Sequence, residues 1–276
     1  MNMTLADELF YTAVNLHRVR GGAGVGTGTG FFWTTTLANE KEATFLVTNK
    51  HVLEGCDQIS AVCHEADVST GQPKGTFATC VIDITPDAVV NHPNPIIDLC
   101  AVPFGPTQNQ ALNAGSSLFT KSIRSDSVPN DKQWSDFDSI EEVVMIGCPR
   151  GIYDDVNNLP IVRRGITATP LHKRYGGRDE FMVDMACFPG SSGSPVFMMS
   201  RGHMDRASNT YMIGAGRFFF LGVLYSGPLI TNEGQVVLSS QPRVEVAAMM
   251  HLGQVIRSSA VLQMEDELVR CFNLQR

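Results

Sequence analysis

Apolar residues in this chain come in short runs, each closed by a turn former, and that pattern limits what it can fold into. The runs at 10–19, 30–35, 44–48, 143–146, 181–185, 195–198 and 218–225 are rich in β-branched and aromatic residues and bounded by Gly, Pro, Asn or Asp. Side chains that branch at Cβ or carry a ring suit a pleated, half-buried surface, and runs this short favour strands over helices. Their number predicts an all-β sandwich or barrel. Strands and helices do not alternate, which disfavours a doubly wound parallel sheet. The longest apolar stretch, 218–230, is broken by Gly222, Ser226, Gly227 and Pro228, so it is too short and interrupted for a membrane-spanning helix.

With 276 residues, 43% apolar and 18% charged, the chain can bury one large core or two moderate ones. Its 28 acidic and 21 basic residues leave a formal charge of −7. That sign repels phosphate backbones and anionic lipid, so neither nucleic acid nor membrane is the expected partner. The opening MNMTLADE has no basic start followed by an apolar run, so a soluble, cytoplasmic protein is expected. Seven cysteines, at 56, 63, 80, 100, 148, 187 and 271, are scattered without a C-x-x-C pair. Cys63 and His64 are adjacent, but no second close pair completes a tetrahedral site. The thiols read as reduced and packed as small apolar groups, with no metal and no organic cofactor expected.

Between the strands, 91–106 carries four prolines and 122–138 is polar without a clear period, so both read as loops, the second a candidate linker between halves. The glycine cluster GGAGVGTGTG at 21–30 invites a phosphate-loop reading. It lacks a following Lys-Ser or Lys-Thr, and a strand rather than a helix comes next, so a turn feeding a strand is the better account. After about residue 244 the spacing of Leu252, Val255, Ile256, Leu262, Leu268, Val269 and Phe272 predicts a C-terminal helix docked by one face, with an exposed partner-binding helix as the other reading.

Three local signals carry chemistry. An apolar strand, FLVTNKHV at 45–52, ends in a polar turn that presents His51; IIDLCAV at 96–102 embeds Asp98 among apolar neighbours; PGSSGSPVF at 189–197 is a small-residue turn opening onto a strand. Singly, each has a bland reading as a strand end, a turn cap or a solvated loop. Together they meet the needs of acyl transfer. A serine hydroxyl is a poor nucleophile near neutral pH and needs a base, which an imidazole can supply before protonating the leaving amine. A buried carboxylate fixes the ring tautomer and stabilises imidazolium. Glycine at 190 lets its N–H turn toward a carbonyl oxygen beside the N–H of Ser192, forming an oxyanion hole. Ser191 competes as nucleophile, and His92, His172 and His203 compete less well as base, since none sits in a strand-end motif.

His51, Asp98 and Ser192 resemble the His…Asp…Ser order of the chymotrypsin/trypsin-like serine proteases, with separations of 47 and 94 residues that suit that family. TNKHV resembles its histidine motif, DLCAV its aspartate motif, PGSSGSPVF its G-x-S-G-G-P motif, and GTGF at 28–31 the strand before the histidine. IGCPRG at 146–151 resembles the G-x-P-x-G turn of stand-alone bacterial peptidases of the HtrA-related kind. The resemblance covers roughly residues 10–245. It implies two six-stranded antiparallel Greek-key barrels, the first over 1–120 with His51 and Asp98, the second over 121–245 with Ser192, then a helical tail over 246–276.

It also implies that Tyr225, Ser226 and Gly227 pair with a bound peptide as an added strand, and that Ala186, with Cys187 beside it, lies at the floor of the primary pocket. No carboxylate sits at that floor, so a small or apolar substrate side chain is expected. The implied activity is a serine endopeptidase with polypeptide substrates, a restricted substrate range and a regulatory protein partner. An α/β-hydrolase fails on order, because Ser194 occupies the last glycine of the G-x-S-x-G elbow.

The sequence departs from the family around the histidine, where the disulfide of the secreted enzymes lacks a partner because only Cys56 lies nearby, and around the nucleophile. Ser191 stands where secreted trypsins have aspartate, so activation by a new N-terminal amine is not expected. Ser194 replaces a glycine beside the oxyanion loop. That crowding motivates a second reading, a weak or inactive protease-fold module that binds peptides without cutting them. No PDZ-type domain is expected after residue 245.

Overall fold

The computed structural model describes residues 3–205, 208, 210–230, 248–272 and 274 of the chain. Its first half is built on a long strand, β2 (Ala23–Thr36), paired antiparallel with β1 (Ala13–Arg20) and β3 (Glu42–Thr48). Successive strand side chains point to opposite faces. Phe31 and Trp33 therefore enter one core and Phe32 another, and all three are buried. A short helix, α1 (Leu5–Leu9), precedes β1 behind a Thr4–Asp7 capping box.

A one-turn helix, α2 (Lys50–Leu53), follows β3, and β4 (Gln58–Ala66), β5 (Pro73–Asp83), β6 (Val90–Asn91) and β7 (Cys100–Pro103) complete the sheet. The order is β5-β4-β1-β2-β3-β7-β6, and β8 (Leu118–Phe119), after α3 (Gly105–Asn113), pairs on β4. This sheet curls around Leu16, Phe32, Leu46, Ile59 and Phe104, and its edge strands β5 and β6 are not paired with each other.

The second half closes fully. Strands β9 (Glu142–Gly147), β10 (Ile161–Thr167), β11 (Glu180–Asp184), β12 (Pro195–Asp205), β13 (Thr210–Ser226) and β16 (Leu252–Arg257) form one barrel in the order β10-β11-β16-β13-β12-β9. Between β13 and β16, β14 (Leu229–Ile230) pairs with β15 (Ala248–Met249). Val143, Met145, Phe181, Val196, Leu221 and Val255 fill the barrel.

A third core joins the halves, with Phe220 packed against Phe31, Trp33 and Phe197 at ring separations of 5.5, 6.1 and 5.7 Å. Fully burying a large side chain of this kind stabilises by about 1.5–3 kcal/mol. That packing fixes how the two halves sit against each other. Helix α5 (Ser259–Cys271) lays Ala260, Val261, Met264 and Leu268 into the same core, and Thr35 Oγ1 donates to its Glu265 Oε1 at 2.7 Å.

The all-β, trypsin-like architecture with a C-terminal helix is the expected one. Two local readings are corrected. Leu252, Val255 and Ile256 belong to the barrel's closing strand, not to a helical tail over 246–276; their i, i+3, i+4 spacing mimics a helix, but pairing with β11 and β13 decides the conformation. The boundary placed at 245 lies outside the described residues. Second, the glycine cluster is mostly strand, since only Gly21 and Gly22 form the turn before β2. The polar 122–138 segment holds α4 (Asp131–Asp136), and its Trp134 is buried against Phe137, Phe181 and the Arg257 guanidinium, so it is anchored to the second barrel.

Candidate active site

Strand β3 runs straight into α2, which sets His51 beside the loop between β6 and β7. Helix α2 can lie close on β2 because Gly28 has no side chain: a Cβ there would meet Val52 Cγ1 at 2.5 Å. Asn49, before α2, donates from Nδ2 to the Asp98 carbonyl at 2.7 Å, and Lys50 Nζ donates to the Pro95 carbonyl at 3.2 Å. The Asp98 carboxylate then takes His51 twice. Oδ1 accepts from the His51 backbone N–H at 3.2 Å, and Oδ2 lies 2.5 Å from ring Nδ1. Burial opposes ionisation of Asp98, but hydrogen bonds from the His51 ring, its charge, and the backbone N–H groups of His51 and Lys50 outweigh that and lower its pKa. The His51 side chain is 45% exposed, so its far edge is open to solvent.

Ser192 comes from the other half, on the loop between β11 and β12, and Thr29 of β2 ties that loop to the first half. The Thr29 backbone N–H donates to Ser192 O at 2.9 Å, and its Oγ1 donates to Gly190 O and accepts from Cys148 N–H, each at 3.0 Å. Thr48, three residues before His51, donates from Oγ1 to Thr29 O at 2.7 Å. Hydrogen bonds therefore run without a break from the histidine's strand to the serine's loop. Gly193 (φ +87°) must be glycine, because a Cβ would lie 1.9 Å from Thr29 O. Gly190 (φ +84°) presses against the Arg150 backbone N, where a Cβ would lie at 2.7 Å. Arg150 N–H donates to Pro189 O at 2.7 Å. Among the described residues the N–H groups of Gly190 and Ser192 have no protein acceptor. The Ser192 hydroxyl donates to the Tyr225 carbonyl at 3.3 Å, and no hydrogen bond among the described residues joins it to the imidazole.

The trypsin-like peptidase domain profile matches residues 28–204, a span that holds His51, Asp98 and Ser192. The chain belongs to the trypsin-like peptidase family. Among solved structures, it is similar in fold to the serine endoprotease from Yersinia pestis, with a TM-score of 0.50 and 16% identity over 98% of this chain and 68% of that one. No curated protein matches it.

In this trypsin-like peptidase the other expected site residues fall in three places. Tyr225 lies beyond Val223, the last β13 residue paired with β12, at a break in the register between β13 and β16. Beyond Val223, β13 has β16 as its strand neighbour, while Leu224 exchanges backbone hydrogen bonds with Gly193 and Ser194. The Tyr225 phenol donates to Glu180 Oε2 at 3.0 Å, and burial, then Glu180, pushes its pKa up to about 12. Ser226 is exposed and Gly227 half-buried beside it. Ala186 is half-buried at the base of the serine loop. Cys187 turns away: its thiol is buried among Val183, Leu224 and Gly253, so its side chain belongs to the barrel core and does not line a cleft. Ser191 is fully buried and faces the barrel, which removes it as the rival nucleophile. His92 is buried too, so it cannot serve as a base in the cleft.

The crowding expected from Ser194 has a structural answer. Its side chain fills the space that Gly147 leaves open, for a Cβ on Gly147 would lie 2.0 Å from Ser194 Oγ. Sequence reasoning missed this pairing and also missed Arg163. The guanidinium Nη1 of Arg163 donates to the Ala186 carbonyl at 2.8 Å and to Ser191 Oγ at 2.7 Å. Two adjacent arginines, 163 and 164, look alike in sequence; the pairing of β10 with β9 sends Arg164 outward to Glu142 and Arg163 inward.

Proposed function

We propose that this chain is a serine endopeptidase that cleaves polypeptides through a covalent acyl-enzyme. The observation that carries the reading is the two-point hold of Asp98 on His51, at the backbone and at Nδ1, on a segment that Thr48 and Thr29 link by hydrogen bonds to the glycine-flexed loop bearing Ser192. The Ser192 Oγ attacks the scissile carbonyl while His51 Nε2 takes the hydroxyl proton. The tetrahedral oxyanion is held by the N–H groups of Gly190 and Ser192, each donor of this kind being worth roughly 10²–10³ in rate. Collapse expels the amine, which receives the proton from His51, and water repeats the sequence to release the acid. Substrate backbone adds as a strand along 225–227. The primary side chain is small or apolar. The buried Arg163 cation behind the Ala186 floor works against lysine or arginine there.

One observation favours a second reading, a peptide-binding module without turnover: the Ser192 hydroxyl is turned to the Tyr225 carbonyl rather than to the imidazole. Catalytic hydrogen bonds often form only once substrate is bound, which weakens that reading. A fluorophosphonate probe with mass-spectrometric site mapping separates the two. The endopeptidase labels at Ser192 and hydrolyses peptides, and Ser192→Ala loses hydrolysis by about 10⁴–10⁶ with its melting temperature kept. Equal turnover by both proteins would end the proposal.

A further inference from the structure

We propose that Arg163 is a positioning residue that braces the Ser192 loop from within the barrel, doing so without a carboxylate partner; this rests on the endopeptidase reading above. Along β10, Val162, Arg164 and Ile166 are exposed, whereas Arg163 and Thr167 face inward. A cation aimed into a barrel wall is costly unless it is paired. Yet among the described residues no carboxylate lies within ion-pair distance of Arg163, and its Nε and Nη2 are buried without an acceptor. Its one partnered nitrogen, Nη1, is spent on two neutral oxygens of a single loop.

Those two oxygens, Ala186 O and Ser191 Oγ, sit at either end of the segment that contains Gly190, and Ser191 is joined directly to Ser192. Ser191 is further fixed by its N–H to Phe188 O at 3.0 Å and by Phe188 N–H to its Oγ at 3.4 Å. Holding the Ser191 side chain on the core side restricts rotation of the peptide between 191 and 192. The Ser192 N–H then stays turned to the cleft. Thr29 grips the same loop from the first half through Gly190 O, so the loop has an anchor on each side. A neutral hydroxyl at 191 suits this brace. The guanidinium supplies the charge, stays protonated throughout any working pH, and needs no cleavage of the chain.

The groups facing Arg163 from the neighbouring elements are Ser191 and the thiols of Cys148, after β9, and Cys187, after β11. Burial pushes those thiols up to about 12 and about 11, so neither titrates near neutral pH. This makes Arg163→Lys a clean probe: an introduced buried ammonium loses its proton more readily than a free lysine does. Arg163→Met, which keeps apolar length and removes charge, is expected to lower kcat about 10²-fold with KM little changed, the cost of one misaimed oxyanion donor. Its fluorophosphonate acylation should slow in parallel. Arg163→Lys is expected to recover much of that rate near pH 7 and to lose it as pH rises, while wild type holds its rate. Wild-type acylation rates in Arg163→Met, or an Arg163→Lys pH profile that overlays wild type, would overturn the brace. Should Arg163→Met fail to melt cooperatively, the Arg163→Lys profile decides. A wild type that never labels at Ser192 would instead sink the endopeptidase reading, and the brace with it.

Discussion

Gly147 and Ser194 offer the sharpest test of how the second barrel packs behind the serine loop. A methyl group on Gly147 would lie 2.0 Å from Ser194 Oγ, 3.0 Å from Ser194 Cβ and 2.9 Å from Thr29 Oγ1. Restoring ordinary contact, roughly 3.5 Å, requires the Ser194 hydroxyl to rotate away and β9 to draw back by about 0.5 Å from Ser194 Cβ and Thr29 Oγ1. Overpacking a fully buried site in this way costs about 1–3 kcal/mol. Activity should fall further than stability. Thr29 Oγ1 is one of the crowded atoms, and it holds Gly190 O and Cys148 N–H. Ser194→Gly alone should be close to neutral. It removes a buried hydroxyl that has no partner, which offsets the roughly 0.5–1 kcal/mol lost to added backbone freedom.

Combined, Gly147→Ala with Ser194→Gly leaves the Thr29 contact as the one remaining clash, so the pair should regain about 1–2 kcal/mol relative to the sum of the single changes. Urea unfolding of all four proteins, with slopes compared as well as midpoints, reads this coupling directly. A Gly147→Ala protein as stable as wild type, or strictly additive effects, would show that Ser194 does not fill the space Gly147 leaves.

Two further outcomes follow from the site's electrostatics and hydrogen bonds. The pKa of Asp98 is lowered in the fold, so its contribution to stability is present above the carboxylate's unfolded pKa, about 4, and is lost as pH falls through the lowered folded value. The stability gap between wild type and Asp98→Asn, followed by thermal melts from pH 7 downward, should therefore close on the acid side; a gap constant with pH would contradict the assignment. Thr29→Val keeps shape while removing the hydroxyl that links Gly190 O and Cys148 N–H, and should lower kcat at least about 10-fold in peptide hydrolysis, consistent with a mis-set oxyanion loop. Unchanged kcat would mean that Thr29 Oγ1 does not set the loop.

The three residues proposed to carry the chemistry stand out in the sequence because each is embedded in a short local motif whose flanking residues do the local work. Asn49 and Lys50 tie down the turn beside His51, buried Leu99 and Cys100 follow Asp98, and Gly190 and Gly193 bracket Ser192. The all-β class was legible for the same reason, since strand after strand carries its own apolar and turn signals. Illegible features were those set by register between distant segments. The hairpin of β4 and β5 went unread because its inward positions include Ala61, Cys63 and Cys80, small side chains that give a weak apolar period. The inward aim of Arg163 depends on its pairing with Met145, and the fit of Ser194 to Gly147 joins strands that are distant in the chain. The closing strand β16 carries helical spacing, and nothing local reveals that β11 and β13 await a partner.

The barrel's closing strand lies near the end of the described chain and runs directly into α5, whose Met264 and Leu268 share a core with Phe31 and Trp33 of β2. A nascent polypeptide leaving the ribosome thus holds two unsatisfied edges, on β11 and β13, until residue 257 has emerged. Synthesis itself imposes a delay between making Ser192 and completing the barrel that supports its loop.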